Sequence, residues 1–164
     1  MGEMQNKVCV ITGGAGSIGL ASARQMYEAG AKIMLVDLRH ENLTAAKASF
    51  EDQDRVATCQ ADVSDTVQTQ NYISETTDKW GKIDVLFANA GFSGTSAPVT
   101  NYPDEIFDKV MAVNVRGTFL ACKNALPEMN DGGSIIITSS IMGVTARPGS
   151  IAYIVSKHAV IGLM

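Results

Sequence analysis

Val8-Cys9-Val10-Ile11-Thr12-Gly13-Gly14-Ala15-Gly16-Ser17-Ile18-Gly19 is the stretch that decides the fold. Four apolar residues run straight into a turn rich in glycine, and a helical pattern with Leu20, Ala23 and Tyr27 on one face follows, closing near Gly30. A short apolar run of this kind reads as a strand buried on both faces. The glycines let another backbone or a ligand approach closely, and the free N–H groups of the helix start attract phosphate. Gly14-x-Gly16-x-x-Gly19 has the spacing of a dinucleotide fingerprint, which is weak evidence alone. Without a ligand the same residues would be a flexible turn; its position after the first strand favours cofactor binding.

Outward from this unit the alternation repeats. Ile33–Val36, Val56–Cys59, Val85–Phe87 and Ile135–Thr138 read as further strands. Helical stripes lie between them: Leu43, Ala46 and Phe50; then Ile73, Thr77 and Trp80. A longer stripe through Ile106, Val110, Val113, Gly117 and Leu120 ends near Pro127. Apolar strands alternating with helices predict an α/β fold, a doubly wound parallel sheet with helices on both faces, formed by residues 1–164 as a single domain. Ligands of such sheets sit at the carboxyl ends of the strands.

Composition narrows the classes. Of the 164 residues 46% are apolar and 18% charged, ordinary for a globular chain. A net charge of −4 without a basic block argues against a nucleic-acid partner. No apolar run approaches the ~18 residues of a membrane span, and Met-Gly-Glu-Met-Gln-Asn-Lys lacks a signal-peptide core. Cys9, Cys59 and Cys122 fall in apolar segments without metal-ligand spacing. The expectation is a cytoplasmic protein with buried thiols and no metal.

The chemistry-bearing residues follow the strands. Asp37 ends the second one, eighteen residues after Gly19, where a carboxylate can accept both adenosine ribose hydroxyls and repel a 2′-phosphate. NAD is therefore favoured over NADP, with Arg39 as the residue that keeps NADP open. Capping of the next helix is the weaker reading of Asp37. Asp62 follows the third strand, and there helix capping with Ser64 and Asp65 is as good a reading as ligand binding. Asn89-Ala90-Gly91 follows the fourth strand; it either ends the strand or lets a cofactor pass close to the backbone. Asn114 sits mid-helix on an apolar face and needs a partner there, so a structural and a water-linking role both remain open.

Tyr153 and Lys157, four residues apart, share one face of a helix. Two common residues at this spacing are often an ordinary surface pair. A phenol titrates near pH 10, and bringing it to neutrality takes about 4 kcal/mol. One ammonium at ~4 Å in an effective dielectric of ~20 supplies that much. Ser140 lies thirteen residues before Tyr153, and Gly143, Pro148 and Gly149 give the chain room to bring them together. His158 points about 100° away from Lys157 along the helix and reads as structural or interfacial.

Together these residues resemble the short-chain dehydrogenase/reductase family from Thr12 to Lys157, in order and at family spacing. The resemblance implies NAD(P)-dependent hydride transfer between a secondary alcohol and a ketone. Gly13 and Gly19 match the outer family glycines, with Ser17 where the middle one usually stands; its N–H and hydroxyl would serve the pyrophosphate, with Ile18 beside it. Asp37 resembles the NAD-selecting acid, with Leu38 along the adenosine. Asp62 resembles the residue on the adenine amino group, with Val63 packed by the ring. Asn89, Ala90 and Gly91 match the triplet after the fourth strand, preceded by Ala88 where Asn is common. Asn114, Ser140, Tyr153 and Lys157 match the catalytic four: a water-holding Asn, a Ser donating to the substrate oxygen, a Tyr acid/base, and a Lys that tunes it and holds the nicotinamide ribose. Segments Phe92–Val99 and Ile141–Ser150 would border a pocket for a modest, uncharged substrate. Such proteins usually run to about 250 residues as one domain, so two further strands and a substrate lid are expected beyond Met164, and without them the Ile135 strand is an open edge. Self-association as a dimer or tetramer through the helices around Val110 and Tyr153 is expected by the same analogy. The rival readings are an NADP-linked 3-oxoacyl-carrier reductase and a dinucleotide-binding sensor or fragment without chemistry.

Overall fold

Five parallel strands, β1 (Val8–Thr12), β2 (Lys32–Asp37), β3 (Val56–Gln60), β4 (Ile83–Ala88) and β5 (Met129–Ile137), pair in the order β3-β2-β1-β4-β5. The computed structural model describes residues 2–164. Among these described residues six α-helices connect or follow the strands: α1 (Ser17–Glu28), α2 (His40–Ala48), α3 (Thr66–Trp80), α4 (Asp104–Met111), α5 (Gly117–Ala125) and α6 (Ile151–Ile161).

Strand alternation divides the core in two. Val8, Val10, Met34 and Val36 point to one face, where Tyr72 and Ile73 of α3 and Ala121 and Ala125 of α5 cover them. Cys9, Ile11, Ile33 and Leu35 point to the other, beneath Ala23 of α1 and Leu43 and Ala46 of α2. This is the period-2 geometry of a strand buried on both sides. The doubly wound, Rossmann-type sheet expected from the sequence is therefore present. Its order reverses between β1 and β4, so the crevice at the carboxyl ends opens beside the turn after β1.

Two elements differ from the sequence reading. β5 begins at Met129 rather than near Ile135, drawing Asn130-Asp131-Gly132-Gly133 into the sheet through a register irregularity opposite Ile83 and Val85. It is also the sheet edge: among the described residues only β4 pairs with it, and Ile136 is 43% exposed. The long helix expected between Ile106 and Pro127 carries one turn of π-helix, Ala112–Arg116, between α4 and α5. Such bulges insert one residue into the hydrogen-bond ladder and often mark functional sites. Asn114 is at its centre.

Candidate active site

The turn after β1 is closed by Gly16 N–H donating to the Gly13 carbonyl at 3.1 Å, and Gly14 N–H reaches Val36 O of β2 at 3.0 Å. Gly13 has φ +64°, a left-handed conformation that side chains disfavour. A Cβ on Gly19 would run into the Gly13 carbonyl, so α1 can pack onto the turn only with glycine there. Gly16 is the N-cap of α1 and offers no side-chain cap, and no acidic residue occupies the first turn. The helix start therefore keeps its unpaired N–H groups and positive end free for an anion.

Asp37 leans over this turn. Its Oδ2 accepts from Ala15 N at 3.2 Å and its Oδ1 from Leu38 N at 2.8 Å. It does not cap α2, whose N-cap is Arg39. Asp62 is tied locally, Oδ1 accepting from Ser64 N at 2.9 Å and Ser64 Oγ at 2.7 Å, while Asp65 caps α3 by accepting from Gln68 N at 2.8 Å. Of the group Asp62, Ser64 and Asp65 that could cap this helix, Asp65 does so, and Asp62 sets the turn before it.

Asn89 locks the ends of three strands together. Its Nδ2 donates to Thr12 O at 3.1 Å and lies 3.4 Å from Gly13 O, its Oδ1 accepts from Thr138 Oγ1 at 3.1 Å, and the N–H groups of Asn89 and Ala90 both donate to Thr12 Oγ1. Asn114 is 1% exposed and fully engaged as a donor. Its Oδ1 accepts from Phe92 N at 2.7 Å, and its Nδ2 donates to Phe92 O at 3.0 Å and Ser156 Oγ at 2.9 Å. With both N–H groups committed, the side chain is a clamp between the π-turn, the β4 loop and α6.

Lys157 enters from α6. Its Nζ donates to the Thr138 carbonyl at 2.7 Å and lies 5.6 Å from the centroid of the Tyr153 ring. Burial pushes the ammonium below the ordinary lysine value. The Lys157 carbonyl accepts from Ser139 Oγ at 3.0 Å. Ser140 Oγ accepts from Met142 N at 3.2 Å at the head of a one-turn 3-10 helix, Ile141–Gly143; as the acceptor in that bond, it still has its proton to give. His158 is exposed and its Nδ1 lies 3.0 Å from Ile154 O, facing away from this cluster.

A cleft of about 730 Å³ joins these parts, within the ~300–1,000 Å³ usual for ligand sites. Gly13, Ser17, Ile18, Asp37, Leu38, Asp62, Val63, Asn89, Ala90, Gly91, Tyr153 and Lys157 all line it. Gly19, Asn114 and Ser140 do not, Gly19 and Asn114 being buried. The bare glycine turn, the uncapped helix start and the Asp37 carboxylate fit a dinucleotide's pyrophosphate and ribose. Among the described residues no cluster of His, Cys, Asp and Glu could hold a metal, and no helix is long and apolar enough to cross a membrane.

The family model described as short chain dehydrogenase matches residues 7–164. The chain belongs to the short-chain dehydrogenase family. It is 37% identical over 163 residues to levodione reductase of Leifsonia aquatica, covering 96% of this chain and 61% of that protein. It is 39% identical over 164 residues to 2-(R)-hydroxypropyl-CoM dehydrogenase of Xanthobacter autotrophicus, covering 96% and 66%. Among solved structures, NAD+-bound xylitol dehydrogenase superposes with a TM-score of 0.94 at 36% identity, over 98% of this chain and 63% of that one. The chain thus spans less than two thirds of the length of each.

The sequence reading missed the hydroxyl residues that brace this short-chain dehydrogenase site. Thr12, Thr138 and Ser139 hold Asn89 and Lys157, and Ser156 meets Asn114. Lys109 and Val113 of the long helix also line the cleft. The one available signal was Thr138 itself, a hydroxyl closing an otherwise apolar strand.

Proposed function

We propose that the chain carries the cofactor site and acid/base machinery of an oxidoreductase that moves hydride between NAD(H) and a secondary alcohol or ketone. The observation that carries this reading is convergence: Tyr153 and Lys157 line the same cleft as the bare glycine turn. The nicotinamide, when bound, supplies the hydride acceptor or donor.

The rest of the chemistry belongs to the chain. Tyr153 takes the alcohol proton during oxidation and returns one to the carbonyl oxygen during reduction. The Lys157 ammonium favours the phenolate electrostatically and holds the nicotinamide ribose. Ser140, with its proton uncommitted, donates to the substrate oxygen as charge builds there. Asn114 keeps Phe92 and α6 in register, so that Lys157 meets Gly91, whose Cβ position is 3.9 Å from Lys157 Nζ. Asp37 takes the adenosine ribose hydroxyls and selects NAD; Arg39, which lines the same cleft, is the observation in favour of NADP. The substrate is a small alcohol or ketone, and a homo-oligomer is the working assembly.

A screen of secondary alcohols with NAD+ and NADP+, followed by absorbance of the reduced nicotinamide, tests the reading. NAD+ reduction by at least one alcohol, with weaker or no use of NADP+, is expected. Tight NADH binding with no turnover of any alcohol or ketone would favour a non-catalytic dinucleotide module.

A further inference from the structure

Thr138 is engaged at three atoms. Its N–H donates to Ala88 O at 3.1 Å, which ends the β4–β5 ladder. Its hydroxyl donates to Asn89 Oδ1 at 3.1 Å, and its carbonyl accepts from Lys157 Nζ at 2.7 Å. The β-branched shape suits a strand end, but the sheet needs no hydroxyl there; Ile135, Ile136 and Ile137 precede it without one.

The hydroxyl has a specific consequence for Asn89. An amide is nearly symmetrical in shape, and its orientation is set by its partners. With Thr138 donating to Oδ1, the Nδ2 group faces the carbonyls of Thr12 and Gly13, the latter being the first residue of the phosphate-binding turn. The carbonyl has a consequence for Lys157. An ammonium carries three donors, and fixing one on Thr138 directs the other two. The neighbouring Ser139 hydroxyl holds the Lys157 backbone carbonyl, so the lysine is gripped at both ends by consecutive residues.

We propose that Thr138 is a positioning residue: its hydroxyl fixes Asn89 against the glycine turn, and its carbonyl fixes Lys157 beside Tyr153. One residue then joins the cofactor turn to the proton-transfer pair. The Lys157 half of this proposal rests on the oxidoreductase reading above; the Asn89 half concerns binding alone.

The test uses Thr138→Val and Thr138→Ser, each alone and combined with Asn89→Ala. NADH affinity is read from nicotinamide fluorescence, and the pH profile of kcat/KM from NAD+ reduction by the best alcohol of the screen. Thr138→Val should weaken NADH about fivefold, as expected for one neutral hydrogen bond. It should add less than about twofold in the Asn89→Ala background, where the partner is already gone. Thr138→Val keeps the carbonyl that holds Lys157, so the pH profile should stay where it is in the parent, and Thr138→Ser should restore the NADH affinity. Should Thr138→Val lose its cooperative melt, Thr138→Ala, which cannot overfill the site, takes its place. Wild-type affinity in the valine variant would overturn the proposal, as would a serine variant no tighter than valine, or an equal loss in both backgrounds. So would a displaced pH profile, which would put the grip on Lys157 in the hydroxyl rather than the carbonyl. Turnover absent from every variant and the parent, with the binding cycle as described, would sustain the Asn89 link and refute the reaction instead.

Discussion

The Lys157 ammonium lies 5.6 Å from the Tyr153 ring centroid and 2.7 Å from the Thr138 carbonyl, with its residue 4% exposed. A cation so placed is costly to bury, and its pKa falls accordingly. Because the folded value lies below the unfolded one, the cost is present at neutral pH. It disappears only as pH rises through the folded pKa toward the unfolded one.

Lys157→Met should therefore raise the melting temperature at pH 7 while lowering turnover by about a hundredfold or more, the usual worth of acid/base assistance. Thermal unfolding and NAD+ reduction on the same preparation check both halves. A lower melting temperature would mean that the bond to Thr138 outweighs the burial cost.

Asn114→Leu keeps the volume near the π-turn but leaves both Phe92 backbone groups without their partner. Each buried, unpaired polar group costs about 1–3 kcal/mol, so a loss of about 3 kcal/mol is expected in urea unfolding. Turnover, where measured on folded protein, should fall as well, because the clamp sets α6 against the β4 loop. A loss below about 1 kcal/mol would show that the π-turn holds itself without the asparagine.

At the opposite end of the sheet, Asp84 accepts from Val8 N at 2.9 Å, Lys7 Nζ at 2.9 Å and Asn130 Nδ2 at 3.1 Å. Burial alone would raise its pKa, but these donors outweigh it and hold the carboxyl below the ordinary aspartate value. A depressed folded pKa contributes stability above the unfolded value, near pH 4, that is lost as pH falls through the folded one. Asp84→Asn should cost about 2 kcal/mol at pH 7. The difference from wild type should shrink steadily below about pH 4. Unfolding curves at pH 7, 5, 4 and 3 give the comparison, and a pH-independent difference would contradict the assignment.

Much of this architecture could be read from the chain, for reasons visible in particular residues. Val8–Ile11 and Ile33–Val36 are apolar on both faces, which only a doubly covered strand requires, and the structure puts each alternate residue in a different core. The start of β5 could not be read, since Asn130-Asp131-Gly132-Gly133 has no apolar pattern and sits in the irregularity between the Ile83–Met129 and Val85–Ser134 pairs. The π-turn was equally hidden: Ile106, Val110, Val113, Gly117 and Leu120 have the spacing of a regular helix. The extra residue makes sense only beside the Phe92 backbone that Asn114 serves. In the site, side chains with distinctive chemistry announced themselves. Thr138 announced only half of its part, the hydroxyl at the end of an apolar strand; the other half is a carbonyl that every residue possesses. Ser140 stands at the spacing expected of it, yet its hydroxyl is engaged with Met142 and it does not line the cleft.

In the proposed reaction Tyr153 moves the proton, while the cofactor site works independently of that step. Tyr153→Phe removes one oxygen and preserves the ring, so the decisive measurement is NAD+ reduction by this variant alongside its NADH affinity. Turnover lowered by about a thousandfold or more, with NADH affinity within about threefold of wild type, is the predicted result. Turnover comparable to wild type in a folded Tyr153→Phe protein would contradict it.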